Sequence, residues 1–135
     1  MDQKPKSEIF AVDNSVFVAA LVNGGSAEEL VRFGMAGQVS LVTGKAMVLE
    51  LVRTMRTQFQ FSEAAAAEVA NAVEDCATVY DDAHAANGVA AGPPISAPSI
   101  LTIAKLAGAT AIATMGGTKL ERMGTHDNIP IVTIA

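Results

Sequence analysis

Short apolar runs rich in β-branched residues alternate along the chain with longer segments whose apolar positions recur every three or four residues. Runs of the first kind are typical of buried strands, and segments of the second kind are typical of helices packed on one side. The predicted strands are Phe10–Val12, Val39–Thr43, Ala111–Ala113 and Ile131–Thr133. The alternation favours βαβ units, and therefore a three-layer α/β/α fold around a central, mainly parallel sheet.

Several predicted helices begin at residues that suit a helix start. Ser26 followed three residues later by Glu29 reads as a capping box, and Ser62 precedes an Ala-rich helix whose apolar spacing continues to Tyr80. Between Lys45 and Thr57 an apolar stripe predicts a helix with one buried face. The predicted helices therefore follow Asp13 directly and then cover 26–36, 45–57, 62–80, 100–107 and 119–123.

The length of 135 residues fits one domain, which we place at 1–135. A polar N-terminal segment covers 1–8, and a Gly-, Ala- and Pro-rich stretch at 85–98 predicts a loop. Half of the residues are hydrophobic and 17% are charged, which is typical of a folded chain and not of a disordered one. No internal repeat is present.

Charge and cysteine usage narrow the classes of function. A net charge of −5 argues against broad, sequence-independent binding of nucleic acid. The same charge is compatible with a local basic rim around a site or with a basic protein partner. The single cysteine, Cys76, excludes an internal disulfide and reads as a core residue. The polar N-terminus and the lack of a long apolar run predict a soluble cytoplasmic protein with no membrane segment.

The placement of two acidic residues carries a family resemblance. Asp13 directly follows the first strand, and Glu50 lies on the helix after the second strand. Together with the closing stretches Ala109–Thr114 and Ile129–Thr133, this layout resembles a PIN domain. PIN domains are small metal-dependent ribonuclease folds, and many are the toxin halves of toxin–antitoxin pairs. The resemblance implies Mg²⁺ or Mn²⁺ as cofactor, RNA as substrate and an antitoxin-like protein as partner.

The resemblance also assigns roles at the site. Asp13 and Glu50 match the first and second acids of the family, as catalytic residues and metal ligands. The chain reads Asp-Asn-Ser where the family usually has Asp-Thr-Asn. Further polar residues near the same edge are expected to contact the substrate: Asn14, Ser15, Thr114 and Thr118.

The third and fourth acids of the family pattern are missing from their expected places. The third should open the helix before the Ala111–Ala113 strand, near Ala97 or Pro98. The fourth should follow that strand, where the chain reads Thr114–Leu120 without a carboxylate. Asp81-Asp82-Ala83-His84 resembles one form of the third motif about sixteen residues early, and Asp82 is our candidate for the third metal ligand.

Each acid also has a simpler interpretation. Asp13 could cap the helix that follows it, and Glu50 could pair with Arg53 on a solvated helix face. Both histidines, His84 and His126, stand in polar, turn-like contexts without a partner at metal-ligand spacing, so we interpret them as solvated. Phosphate-binding and nucleophile-elbow motifs are absent from the sequence.

Together these features predict a PIN-like protein with an incomplete acidic site and therefore weak or no ribonuclease activity. The alternative is a non-catalytic PIN-like module for protein interaction or dimerisation. A small-molecule binding α/β domain stays open as a third reading, because fold does not fix function. The high apolar fraction, together with the self-association that is common in the family the chain resembles, predicts a homodimer.

Overall fold

A computed structural model describes residues 8–80, 96–116, 118–126 and 128–134 of the chain. In this part of the chain, helices alternate with strands in the predicted manner. The strands are β1 (Ile9–Val12), β2 (Ser40–Gly44), β3 (Ala77–Tyr80), β4 (Ala111–Met115), β5 (Thr125–His126) and β6 (Ile129–Ile134). The helices are α1 (Asn14–Val22), α2 (Gly25–Met35), α3 (Lys45–Thr57), α4 (Glu63–Cys76), α5 (Ser96–Ala107) and α6 (Lys119–Met123).

The described strands form one sheet in the order β3-β2-β1-β4-β6-β5. Neighbours from β3 to β6 are parallel, whereas the two-residue β5 runs antiparallel to β6. Strand β1 is central: Phe10 pairs with Leu41 of β2 on one side and with Ala111 of β4 on the other. Consecutive crossovers in one direction, from β1 to β3, place their helices on one face, and the return past β1 to β4 places α5 on the other.

Two groups of buried side chains fill the spaces above and below the sheet. Helices α1 to α4 pack with Val12, Leu41 and Ala113 on one face. On the opposite face, α5 and Leu120 of α6 pack with Ala11 and other strand residues of the second group. Adjacent residues of β1 thus point to opposite faces, as the two-residue period of a strand requires. The predicted three-layer α/β/α fold with a central, mainly parallel sheet is confirmed.

Helix starts agree with the sequence in two places and differ in a third. Asp13 is the N-cap of α1, and Ser62 is the N-cap of α4. The capping box predicted at Ser26 is wrong, because α2 begins at Gly25 and its N-cap is Gly24. Glycine has no side chain that could cap the helix. Gly24 has φ of +76°, a conformation that glycine adopts without steric cost.

The sequence analysis missed strand β3. It extended the helix after Ser62 as far as Tyr80, but α4 ends at Cys76 and the chain continues as a strand. Leu41 of β2 pairs with Ala77, and Gly44 pairs with Tyr80. The predicted strand Ala111–Ala113 is consequently the fourth strand along the chain and not the third.

The loop predicted at 85–98 lies partly outside the described residues. Its last three positions, 96–98, belong to the first turn of α5, so this end of the prediction is wrong. Pro98 is compatible with a first turn because its missing N–H has no partner to lose there. Among the described residues, no helix is long and apolar enough to cross a membrane.

Candidate functional site

The cleft above β1 and β4 is where the topology itself favours a ligand. The chain leaves β1 towards β2 on one side and later returns to β4 on the other, so the two halves of the sheet diverge at this point. Open α/β sheets bind ligands at such a switch point, beyond the carboxyl ends of the strands. Asp13 directly follows β1, and Thr114 lies near the end of β4, which places both residues at this edge.

Asp13 is held by a set of hydrogen bonds that all reach one carboxylate oxygen. Its Oδ2 accepts from the backbone N–H of Ser15 at 3.2 Å and from the Ser15 hydroxyl at 2.6 Å. The hydroxyl of Thr114, 101 residues further along the chain, donates to the same oxygen at 3.2 Å. Asp13 also donates its backbone N–H to the carbonyl of Ala113 at 2.9 Å.

Two more contacts extend this network into the segment after β4. The Ser15 hydroxyl accepts the backbone N–H of Met115 at 3.1 Å. Thr118 lies 2.8 Å from Thr114, hydroxyl to hydroxyl, and 3.1 Å from the carbonyl oxygen of Met115. Thr114 is fully buried, so the centre of the network is sheltered from solvent. The structure thus joins Asp13 with three of the four predicted substrate-contact residues; we call these four, Asp13, Ser15, Thr114 and Thr118, the hydroxyl network.

Asn14, the fourth predicted contact residue, faces a different neighbour. Its side-chain amide donates to the carbonyl oxygen of Met47 in the first turn of α3, at 2.9 Å. Its side-chain oxygen, Oδ1, is buried and has no hydrogen-bond partner among the described residues. Asn14 therefore links the start of α1 to α3 instead of joining the hydroxyl network.

Glu50 occupies the solvent-exposed side of α3, as the helical period predicts. Met47, Val48 and Leu51 of the same helix are buried. Among the described residues, Glu50 makes no ion pair with Arg53, whereas Arg32 pairs with Glu28 one helical turn away on α2. The simpler interpretation of Glu50 as half of an ion pair is therefore not supported, and Glu50 is not linked to the hydroxyl network either.

The described part of the chain brings together no complete set of protein ligands for the Mg²⁺ or Mn²⁺ ion that the resemblance implies. Such ions require several oxygen ligands, usually including carboxylates from different elements. Among the side chains that the structure describes, no three Asp, Glu, His or Cys residues converge as a metal site would require. Three hydrogen-bond donors already occupy Oδ2 of Asp13. Asp82, the predicted third ligand, lies outside the described residues.

The start of α5 bears on the missing third acid. This helix precedes β4 and begins at Ser96, so Ala97 and Pro98 stand in its first turn, as the counting from the sequence expected. The family pattern would place an acid there, and this chain has none. After β4 the chain continues into Gly116, again without a carboxylate.

An open depression in the described surface lies away from the switch point. Lys45 and Glu74 line it together with Ala77 and Val79 of β3. No residue of the hydroxyl network contributes to it. Because it is open and combines one cation with one anion, it offers no convergent chemistry, and the switch point stays the better candidate.

The sequence analysis missed two groups near the site. Thr43 is fully buried near the end of β2, and no residue that the structure describes forms a hydrogen bond with its hydroxyl. The carbonyl of Met47, which receives the Asn14 amide, is a backbone group without any side-chain signature. The sequence signal for the buried Thr43 hydroxyl was the occurrence of a polar residue in the apolar strand run Leu41-Val42-Thr43.

Comparison with known proteins gives no further assignment. The sequence matches no family model, and it shows no significant similarity to a curated protein. Any functional conclusion must therefore be argued from the site.

Proposed function

We propose that the chain is a PIN-like protein whose acidic site is incomplete, and that its ribonuclease activity is weak or absent. The observation that carries the proposal is the position and surroundings of Asp13. It stands at the switch point, where the resemblance expects the first acid, but hydroxyl and amide donors hold one of its oxygens. A single carboxylate surrounded by hydrogen-bond donors is better suited to contact a ligand than to bind a metal ion for hydrolysis.

Electrostatics supports the same conclusion. A site that activates water with a divalent cation needs enough negative charge to draw the ion out of bulk water. Here Glu50 is solvent-exposed on α3, and Gly116 replaces an acid after β4. The substrate class that the resemblance implies is single-stranded RNA, and the partly exposed hydroxyls of Ser15 and Thr118 are placed to contact it, whereas Thr114 is fully buried.

A cleavage assay tests this proposal. Single-stranded RNA is incubated with the protein and Mn²⁺ or Mg²⁺, and the wild type is compared with Asp13→Ala and Glu50→Gln. We expect little or no cleavage by the wild type, and any residual cleavage should disappear in both variants. Glu68→Gln, which changes an exposed acid on α4, serves as the matched control. Robust Mn²⁺-dependent cleavage that survives Asp13→Ala would place the active site elsewhere.

A gain of function provides the complementary measurement. Gly116→Asp adds an acid directly after β4, where the family pattern has one. If the missing acids limit activity, this variant should cleave RNA faster than the wild type in Mn²⁺. Gly37→Asp, at an exposed glycine with φ of +79°, is a poor control because the backbone would be strained, so Ser40→Asp at an exposed position of β2 is the better one.

The second candidate is a non-catalytic interaction module in the cytoplasm, which pairs with a second copy of the chain or an antitoxin-like protein. Exposed large apolar side chains favour it: Leu49 is 63% exposed, Met35 59% and Leu106 56%. Apolar side chains mark an interface where they form a contiguous patch, and Met35 of α2 and Leu49 of α3 lie in the same helical layer, whereas Leu106 of α5 lies in the opposite one. Light scattering across the micromolar range tests the homodimer. A mass twice that of the 13.9 kDa chain is the expected result, and a monomer mass throughout counts against self-association.

A further inference from the structure

Two hydroxyls of the network donate to the Asp13 carboxylate. Ser15 donates to Oδ2 at 2.6 Å, and its oxygen accepts the Met115 N–H. Thr114 lies 3.2 Å from Oδ2 and 3.2 Å from the Ser15 oxygen, and it donates to the carboxylate because an ionised acceptor makes the stronger bond. Thr118 has a single proton for two acceptors, the Thr114 oxygen at 2.8 Å and the Met115 carbonyl oxygen at 3.1 Å.

This direction of donation decides what the Asp13 carboxylate can bind. With the Ser15 backbone N–H, three donors point their positive ends at Oδ2. A carboxylate oxygen offers two lone pairs, so no place for a cation is left on this atom. Donors that meet an ionised acceptor make stronger hydrogen bonds than neutral pairs do. The chain's own donors thus stabilise the negative charge at Oδ2.

The same bonds connect parts of the chain that are far apart in sequence. Ser15 belongs to the first turn of α1, whereas Thr114 and Met115 end β4, about a hundred residues later. These elements meet at the switch point, where the pairing of β1 with β4 joins the two halves of the described sheet. Because Thr114 is fully buried, water does not compete for the bond between Thr114 and Asp13.

We infer that Asp13 is a structural clasp, which joins the end of β1, the start of α1 and the end of β4 through Ser15 and Thr114, in the place where a catalytic acid would bind a cation. The clasp goes beyond the proposed function and does not depend on it, since it would operate equally in a non-catalytic module. Its role is to fix the two halves of the sheet at the switch point.

Thermal unfolding in the presence of EDTA tests the clasp without RNA. Asp13→Asn keeps the size of the side chain and a capping oxygen, but it removes the charge. Thr114→Val and Ser15→Ala each remove one hydroxyl donor. We expect each variant to lower the melting midpoint by about 5 °C or more, and the Asp13→Asn/Thr114→Val double variant to lose less than the sum of the two single losses. The controls are Glu68→Gln and Ser26→Ala, at exposed positions.

A parallel series of melts in millimolar Mn²⁺ completes the test. The clasp predicts the same wild-type midpoint with Mn²⁺ and with EDTA. Two results would overturn it: midpoints of the three variants equal to those of the controls, or a wild-type midpoint that rises in Mn²⁺ and loses the rise in Asp13→Asn. If Asp13→Asn does not fold, the Ser15→Ala and Thr114→Val melts carry the test alone. A failed nuclease proposal would appear instead as RNA cleavage, which these melts do not measure.

Discussion

The side-chain amide of Asn14 donates a hydrogen bond to the carbonyl oxygen of Met47 at 2.9 Å. This bond ties the first residue of α1 to the first turn of α3, the helix that presents Glu50 to solvent. Because the amide N–H must face the carbonyl, Oδ1 is turned towards a buried place where no described residue donates to it. The contact therefore fixes the orientation of the whole side chain.

Replacement of Asn14 should destabilise the protein, and a charged replacement should destabilise it more than an apolar one. Asn14→Ala removes the hydrogen bond and should lower the free energy of unfolding by about 1 kcal/mol, whereas Asn14→Asp should cost more because a carboxylate would face the Met47 carbonyl. Urea unfolding measures both. Asn71→Ala, on the exposed side of α4, should stay within about 0.5 kcal/mol of the wild type. An Asp variant as stable as the Ala variant would contradict this account of the contact.

Gly34 is required by the close approach of α2 to its neighbours. A Cβ at this position would lie 2.6 Å from Cδ1 of Leu41 and 2.9 Å from the backbone oxygen of Cys76. The leucine side chain can turn, but the carbonyl cannot move without shifting the end of α4.

Gly34→Ala should therefore destabilise the protein, although alanine is the better helix former by about 1 kcal/mol. Overpacking of this kind typically costs about 1–3 kcal/mol, so the loss should exceed the gain in helix propensity. Urea unfolding of Gly34→Ala, with the exposed Met35→Ala as control, gives the sign. A more stable Gly34→Ala would show that the two helices can separate freely.

The sequence predicts most of the fold because the short strands are marked by local composition. Phe10–Val12 and Ile131–Thr133 lie in short apolar runs rich in β-branched and aromatic residues, and their place among the strands follows from the alternation with helices. Asp13 is predictable at the strand edge for the same reason. Helix α3 is predictable because Leu51 and Met55 repeat at a spacing that only a helix places on one side.

What the sequence does not reveal depends on distant partners. Tyr80 follows Cys76 at the spacing of a helix, and no Gly or Pro separates them, so local periodicity cannot detect the change to a strand. Pairing of Ala77–Tyr80 with β2 decides it. The contact between Asp13 and Thr114 spans 101 residues, and no local pattern reports such a bond. Asp82 stays a prediction, because it lies outside the described residues.

Thr43 and Thr114 provide a test of what a buried hydroxyl contributes. Both side chains are fully buried, but within the described part of the chain only the Thr114 hydroxyl, of the two, has hydrogen-bond partners. Thr43→Val removes an unpaired polar group and should leave stability unchanged or raise it slightly, whereas Thr114→Val should cost about 1.5–3 kcal/mol, as for a bond to a charged group. Urea unfolding of the two matched variants measures the contrast. Equal losses at both positions would mean that Thr43 has a partner such as an internal water.

Cys76 should make the free energy of unfolding fall at alkaline pH. The thiol is buried at the end of α4, and its Sγ lies 3.5 Å from the carbonyl oxygen of Val73, to which it donates. Burial, helped by the negative charge of Asp75, raises the pKa of the Cys76 thiol above its ordinary 9.0. The folded protein therefore holds this proton at pH values where the unfolded chain has lost it, so the free energy of unfolding falls as pH rises above about 9.

Cys76→Ala should be less stable than the wild type at neutral pH because it leaves a cavity, but the difference should shrink as pH increases towards the raised pKa. Urea unfolding of both proteins at several pH values measures this difference, in which the other titrating groups cancel. A difference that stays constant from about pH 7 to pH 10.5 would show that the thiol ionises in the folded protein as easily as in the unfolded chain.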